Sequence, residues 1–519
     1  MQRTEAIEVH LPDDAEESNS IVVFKEKPEE LDLPAGGINI GTGVRKQDVL
    51  VVDWDGPDDP ENPRNWSASK KWAATVLVSA YAFASPAASA MIAPASQNVA
   101  DEFGISKEVI NQIVISIFVL AYAFGPLILA PLSELFGRYP TLQATNIWFL
   151  IFNIACGAAR NQGELIAFRF LAGLGGGAPL AIGGGLIADC FELNERGLAI
   201  SIFAIAPLLG PVLGPLTGAW VAEKASWRWV FWSTSILTGI IQVFGMIFIR
   251  ESFAPVLLSR KAERIRKSMA NEEGPKPEIT TVYDTPDRHW KVLIKTALIR
   301  PFVLFFLEPI MQILGVYMAF IYGLFYIFLT TMPTIFEGVY QQDTGIAGIH
   351  YLALGVGLVG GSQLIAYYQD KIYNRLQKKN DDIGKPEFRL PMMFPGSFML
   401  PIGLFLTGWT ARANVHWIVP DIGLVFVGLG IIIPWLSINT YIIDAFSLYA
   451  ASALATVMFF RSLCGFGFPL FAPAMYKALG LGKADSILGA LAFFIGCPAP
   501  FVFWHFGERI RAASKHARK

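Results

Sequence analysis

Three ionisable side chains fall inside or at the edge of long apolar stretches: Arg169, Arg461 and Glu308. A charge in such surroundings costs about 2.5–3.5 kcal/mol on insertion scales and seldom faces lipid. Arg169 offers a cation to a proton-carrying group or an anionic ligand, or else snorkels toward an interface. Arg461 carries the same two readings on depth alone. Glu308, which precedes Pro309, either takes up and releases a proton or pairs with a basic residue such as Arg300. A second set, Glu134, Arg138, Asp189 and Arg196, lies between apolar stretches at one face of the first half. There, ion pairs and helix-end dipoles can hold one state shut; the alternative is loop charge that fixes topology.

Other chemistries lack their residues. The six histidines are scattered without an H-x-x-x-H pair, and no nucleophile–base pattern lies in the apolar stretches, which argues against an enzyme. Cys156, Cys190, Cys464 and Cys497 sit within or at the ends of those stretches without metal-ligand spacing and read as small apolar side chains. No metal or cofactor is expected. Nor is there a basic stripe for nucleic acid, since 41 Lys and Arg balance 43 Asp and Glu.

The elements that hold these residues are apolar runs, and a bilayer core about 30 Å thick needs roughly 20 apolar residues per helix. Twelve runs are present, near 72–94, 110–131, 140–159, 164–188, 197–221 and 228–249, then near 308–336, 345–368, 391–411, 417–443, 451–476 and 485–506. With 53% hydrophobic and 16% charged residues, the expectation is an all-α membrane protein of twelve transmembrane helices in two six-helix bundles. The domains are then an acidic, disordered tail over 1–66, bundles over 67–249 and 301–507, a central loop over 250–300 and a basic tail over 508–519. Basic residues cluster in the central loop, in the loop after span eight (Lys371 to Arg389) and in the C-terminal tail. They place both termini in the cytoplasm. The polar start has no apolar core of a signal peptide, so none is expected. Trp54, Trp66 and Trp72 suit the membrane interface.

The halves echo each other. Ile187-Ala188-Asp189-Cys190-Phe191 ends span four, and Ile443-Asp444-Ala445-Phe446 ends span ten; the same spacing relates Gly210 to Gly465. Parallel repeats of this kind place a binding site between them. Span five carries Gly210, Gly214 and Gly218 four apart, with Pro207, Pro211 and Pro215 beside them. Glycines so spaced let another helix approach closely, and the prolines bend the span.

The ordered set APLSELFGRYP after span two, RFLAGLGGGAPLAIGGGLIADC in span four and APLLGPVLGPLTGAW in span five resembles the major facilitator superfamily, in particular its fungal twelve-span drug:proton antiporters. The resemblance covers about 66–507 and identifies Glu134, Gly137 and Arg138 with the loop motif and Arg169 and Gly173 with the arginine motif. It identifies Gly210, Pro211, Gly214, Pro215 and Gly218 with the antiporter motif. Ala130, Glu134, Tyr139 and Ala172 depart from the family's usual residues. The resemblance implies the major facilitator fold, a monomer, and a central cavity lined from spans one and seven, with Tyr81, Phe83, Tyr317, Phe320, Tyr322 and Phe325 as aromatic surface. It implies a plasma-membrane, proton-coupled exporter of small hydrophobic molecules, whose partners are substrate, protons and lipid. Export of an organic acid is the alternative, because Arg169 and Arg461 outnumber the deep acids. A non-transporting sensor that signals through the acidic tail is a further one.

Overall fold

The structure is a computed structural model, and it describes residues 6–9, 21–24, 49–192, 195–269, 278–283, 290–446 and 450–514. Helices dominate because the apolar runs must satisfy their own backbone hydrogen bonds in lipid. The first half contains α1 (Ala68–Ala90), a short α2 (Ser96–Phe103), α3 (Glu108–Phe136) and α4 (Arg138–Gly157). It continues with α5 (Gln162–Gly176), α6 (Ala178–Cys190), α7 (Arg196–Lys224) and α8 (Arg228–Phe248). After α9 (Ala254–Met269) and α10 (Trp290–Leu307), the second half contains α11 (Pro309–Pro333), α12 (Thr344–Ile349), α13 (Tyr351–Lys379) and α14 (Met393–Thr410). It ends with α15 (Ile418–Ala445), α16 (Ala450–Gly496) and α17 (Pro498–Ala513). Among the described residues, nine helical segments are long and apolar enough to cross a membrane; the last, Ala450–Ala513, breaks at Gly480, where φ is 74°.

Lipid exposure shows in inverted helices. Along α8, Ile236, Ile240, Val243, Phe244, Ile247 and Phe248 face outward, while Thr234, Ser235, Thr238 and Gln242 are buried. The buried face of α4 is likewise polar. Asn146 Nδ2 donates to Gln242 Oε1 at 2.6 Å, Gln242 Nε2 donates to Gln143 Oε1 at 2.6 Å, and Asn153 Nδ2 donates to Thr234 Oγ1 at 2.8 Å. Away from water, such amides join helices that gain little from apolar contact alone. Near the start of α8, Glu102 accepts from Arg228 Nη1 at 2.6 Å and from the Trp227 indole at 2.6 Å. The Arg228 hydrogen bond, then that of Trp227, holds the Glu102 carboxyl below the ordinary glutamate range. This tie is present above that range and is lost as pH falls through the lowered value.

The halves meet along α3 and α16 and along α7, α12 and α13. Lys477 pairs with Glu108 at 3.6 Å, and Glu223 accepts the Gly345 N–H at 2.6 Å. Both contacts lie at the end of the bundle opposite Arg138.

Residues 49–66, expected to belong to a disordered tail, are ordered on the central segment. Strand β1 (Ala6–Val9) pairs antiparallel with β2 (Ile21–Phe24), and β3 (Val49–Val52) pairs parallel with β4 (Glu278–Thr281). Val52 and Ile279 pack with Ala262 of α9. Lys261 Nζ meets Asp55 Oδ1 at 2.5 Å, and Arg264 meets Glu61 at 2.8 Å. The Asn65 amide donates to the carbonyls of Pro57 and Asp59 at 2.7 and 2.9 Å, closing the turn. The acidic run looks disordered alone because its cations lie some 200 residues further along the chain. Lys261→Ala leaves Asp55 and the buried Asp59 without their cation. Limited proteolysis should then cut within 49–66 several-fold faster than in the parent protein.

Candidate functional site

At the α3–α4 turn, Gly137 adopts φ 107°, and a Cβ there would collide with the Glu251 carboxylate. Glu251 Oε1 accepts the backbone N–H groups of Arg138, Ser252 and Phe253 at 2.9, 3.1 and 3.0 Å. Arg138, so placed, sends Nε to Asp189 Oδ2 at 3.3 Å and Nη1 to Ser133 Oγ at 2.7 Å, and its guanidinium lies 4.6 Å from the Phe253 ring centre. Ser252 Oγ donates to the same Asp189 oxygen at 3.4 Å. One clamp therefore ties the ends of α3, α6 and α8. Glu134 and Arg196, expected in the same group, form no ion pair with the described residues. Glu134 lies instead beside Pro255 and Arg260 of α9. Sequence reading passed over Glu251; its signal was an acid directly after the sixth apolar run.

The second half repeats the clamp. Arg389 Nε donates to Asp444 Oδ2 at 2.8 Å and its Nη1 to Asp370 Oδ1 at 2.6 Å, with Tyr373 stacked 4.3 Å away. Arg511 Nε donates to Glu387 Oε1 at 3.0 Å. The correspondence of Asp189 and Asp444 was readable in the sequence, but the arginine that pairs with Asp444 was one of several basic residues in its loop.

Between α1 and α7 the glycines of span five form a seam. A Cβ on Gly210 would lie 2.9 Å from the Phe83 carbonyl oxygen, and one on Gly214 would lie 2.5 Å from that of Ala87. On Gly218 it would strike the Met91 carbonyl. Pro211 and Pro215 are buried within the same helix.

The interior arginines part company. Arg169 is 1% exposed and ties helices together: its Nη2 donates to the carbonyls of Ser89 and Ile115 at 2.9 and 2.8 Å. Its charge lies 5.3 Å from Phe118 and 5.7 Å from Phe231. Arg461 is half-buried and lies between Tyr322 and Trp435, 4.7 and 4.5 Å from the ring centres.

Of the expected cavity aromatics, Tyr322 meets Arg461 and Phe320 packs on Phe468. Tyr81 does not join them. It is 1% exposed and donates to Gln242 Oε1 at 3.1 Å inside the first half, since a buried hydroxyl goes where an acceptor is. Tyr317 is likewise buried inside the second half, beside Gly496. Glu308 is buried immediately before α11, and its carbonyl accepts the N–H of Met311 at 2.9 Å.

Asp485, which the sequence reading did not single out, is 1% exposed and accepts the Tyr476 hydroxyl at 2.6 Å; its other oxygen has no partner among the described residues. Tyr476 also borders a cavity of about 670 Å³ between the halves, lined by Gln112, Thr331, Glu337 and Lys477 among others. Among the described residues no group of three or more His, Cys, Asp or Glu is placed to hold a metal.

Comparison with known proteins places this geometry in company. A family model described as Major Facilitator Superfamily matches residues 78–469. The efflux pump vrtL of Penicillium aethiopicum is 44% identical over 471 residues, which cover 91% of this chain and 92% of that protein. The MFS-type transporter penM of Penicillium rubens is 42% identical, covering 93% and 94% of the two chains. Among solved structures, the partially occluded, inward-open xylose transporter XylE from E. coli matches with a TM-score of 0.61 at 16% identity. That match covers 85% of this chain and 98% of the other, and it concerns the fold alone.

Proposed function

The chain belongs to the major facilitator superfamily, and from that membership we propose that it is a proton-coupled exporter of small hydrophobic molecules, drugs or secondary metabolites, working by alternating access. The observation that carries the mechanism is the pair of matched clamps, Arg138–Asp189 and Arg389–Asp444, one in each half. Each pair ties helix ends within its own half, and breaking it loosens the packing that alternating access rearranges and shifts the balance between states. A substrate drives the change only by binding the two states with different affinity. The outward direction follows relatives named as efflux pumps.

Twelve crossings result when α4 and α14 are counted with the nine long apolar segments and the last segment is counted on both sides of Gly480. An even count puts both termini on one side, and the basic loops make that side the cytoplasm. Export from the cell then places the protein in the plasma membrane. Arg169 holds α1, α3 and α5 together, which leaves coupling to other groups.

We assign the proton to Asp485. It has no cation at ion-pair distance among the described residues, and Tyr476 links it to the cavity between the halves. Asp485→Asn keeps the shape and removes the titrating group. Export should lose its dependence on an imposed pH gradient, while exchange of labelled for unlabelled substrate continues. A pH-gradient dependence unchanged in this variant sinks the assignment.

The function itself is tested by accumulation of a labelled panel of hydrophobic toxins and short carboxylic acids in cells with and without the protein. Lower accumulation that a protonophore abolishes supports the reading. Lower accumulation that persists under the protonophore overturns proton coupling. No difference for any compound, with the protein at the cell surface, leaves a narrow native metabolite outside the panel or the sensor.

A further inference from the structure

The two interior arginines are of one residue type and lie in similarly apolar sequence, yet only Arg169 spends its donors on the protein. Arg461 forms no hydrogen bond and no ion pair with the described residues; the Nε of each arginine is buried without a partner among them, so the difference lies in the Nη groups, which only Arg169 places on carbonyls. By contrast Arg138, Arg228, Arg389 and Arg511 each meet a carboxylate. Tyr322 and Trp435 attract the guanidinium from their faces, but a ring face does not use the five N–H groups of the fork.

The rings around it form a contiguous set. Tyr322 and Trp435 meet edge to face at 5.5 Å and 84°, and Tyr322 continues to Tyr326 at 5.1 Å and Phe325 at 6.0 Å. The position is between the halves. A Cβ on Gly465, one turn beyond Arg461, would lie 2.9 Å from Tyr322 and 3.1 Å from Val119 of α3. The Tyr326 hydroxyl lies 3.4 Å from that of Ser89 in α1. A group bound at Arg461 would therefore touch both halves, where alternating access needs its substrate.

We propose that Arg461, with Tyr322 and Trp435, forms a substrate subsite for planar aromatic molecules that carry a carboxylate or an ionised phenol. The guanidinium fork matches a carboxylate with two parallel hydrogen bonds. The flat ring of the ligand lies against the aromatic walls. Such a ligand supplies both things the site lacks, acceptors for the free N–H groups and a counter-charge for a cation inside the bundle. The inference rests on the transporter reading and narrows its substrate from hydrophobic molecules in general to aromatic acids.

The test uses the purified full-length protein in lipid nanodiscs, with 2-naphthoate and its neutral amide, 2-naphthamide, as probes. The parent protein should bind the naphthoate at least tenfold more tightly than the amide. Arg461→Gln should remove that preference while amide binding stays within about threefold, and Arg461→Lys should keep part of it. Trp435→Ala should weaken both probes together. A thermal melt of each variant identifies any that has lost its fold, in which case the lysine variant and Trp435→Ala decide. Equal binding of the two probes by the parent, or a preference that survives Arg461→Gln, overturns the subsite. Its failure is distinct from failure of the transporter reading. Protonophore-sensitive export of neutral compounds with no acid preference sinks only the subsite. Naphthoate binding that needs Arg461, with no compound moved in cells, sinks only the transporter.

Discussion

Gly214→Val should lower export at least tenfold per molecule at the cell surface, and the purified variant should melt at a lower temperature. A Cβ at this position lies 2.5 Å from the Ala87 carbonyl oxygen, 3.0 Å from its Cα and 3.1 Å from its carbonyl carbon. All three are backbone atoms of α1, so no side chain can swing away, and the helices must separate. Overpacking of this kind costs about 1–3 kcal/mol. The cost falls on a seam that α1 and α7 share over Gly210, Gly214 and Gly218, so a rigid displacement reaches along both helices. Gly239→Ala is the control, since nothing lies within 4 Å of its Cβ position, and it should leave both measurements unchanged. Normal export by Gly214→Val would mean that α1 and α7 have slack between them.

Arg138→Ala should produce the second large loss. The side chains of Arg138 and Asp189 are 12% and 22% exposed, between the surface and buried limits. Surface pairs contribute about 0–1 kcal/mol, and removing one partner of a buried pair costs about 3–5 kcal/mol. An intermediate value, about 1–3 kcal/mol, is expected, because Asp189 keeps only the Ser252 hydroxyl at 3.4 Å. The double variant Arg138→Met with Asp189→Leu removes both charges and should recover part of the stability. A double-mutant cycle on melting reads the coupling directly. If the two single losses simply add, the pair is not a clamp. Glu251→Gln should be milder than Glu251→Ala, because an amide oxygen can still accept the three backbone N–H groups that Oε1 holds.

The Arg138 clamp was legible because its residues form a short motif, Glu134-x-x-Gly137-Arg138, fixed by the turn that joins two apolar runs. Even so, Glu134 sits in that motif and faces α9, while Glu251, outside it, holds the turn together. The glycine seam was legible for a similar reason: a spacing of four places small residues on one helix face. That the face belongs to α1 was not, because any neighbouring helix could have filled it. Arg389 shows the opposite case. It follows a basic stretch of Lys371, Arg375, Lys378, Lys379 and Lys385, and nothing local marks it as the residue that Asp444 and Asp370 select.

What the chain announces in linear order is its apolar runs, the basic loops between them and the motifs at their ends. These follow from hydropathy, helix rise and local spacing, which are properties of neighbouring residues. Where each interior polar group points is a different matter. A helix buried on most sides is apolar all round, so its sequence has no face to read. Arg169 and Arg461 look alike in that text, yet one is held by two carbonyls and the other lies between two rings with no hydrogen bond to the described residues. The difference depends on α1, α3, α11 and α15, which are distant along the chain. Only the packing of those helices brings their carbonyls and rings within reach of either arginine, and so decides which cation is held by carbonyls and which lies against rings.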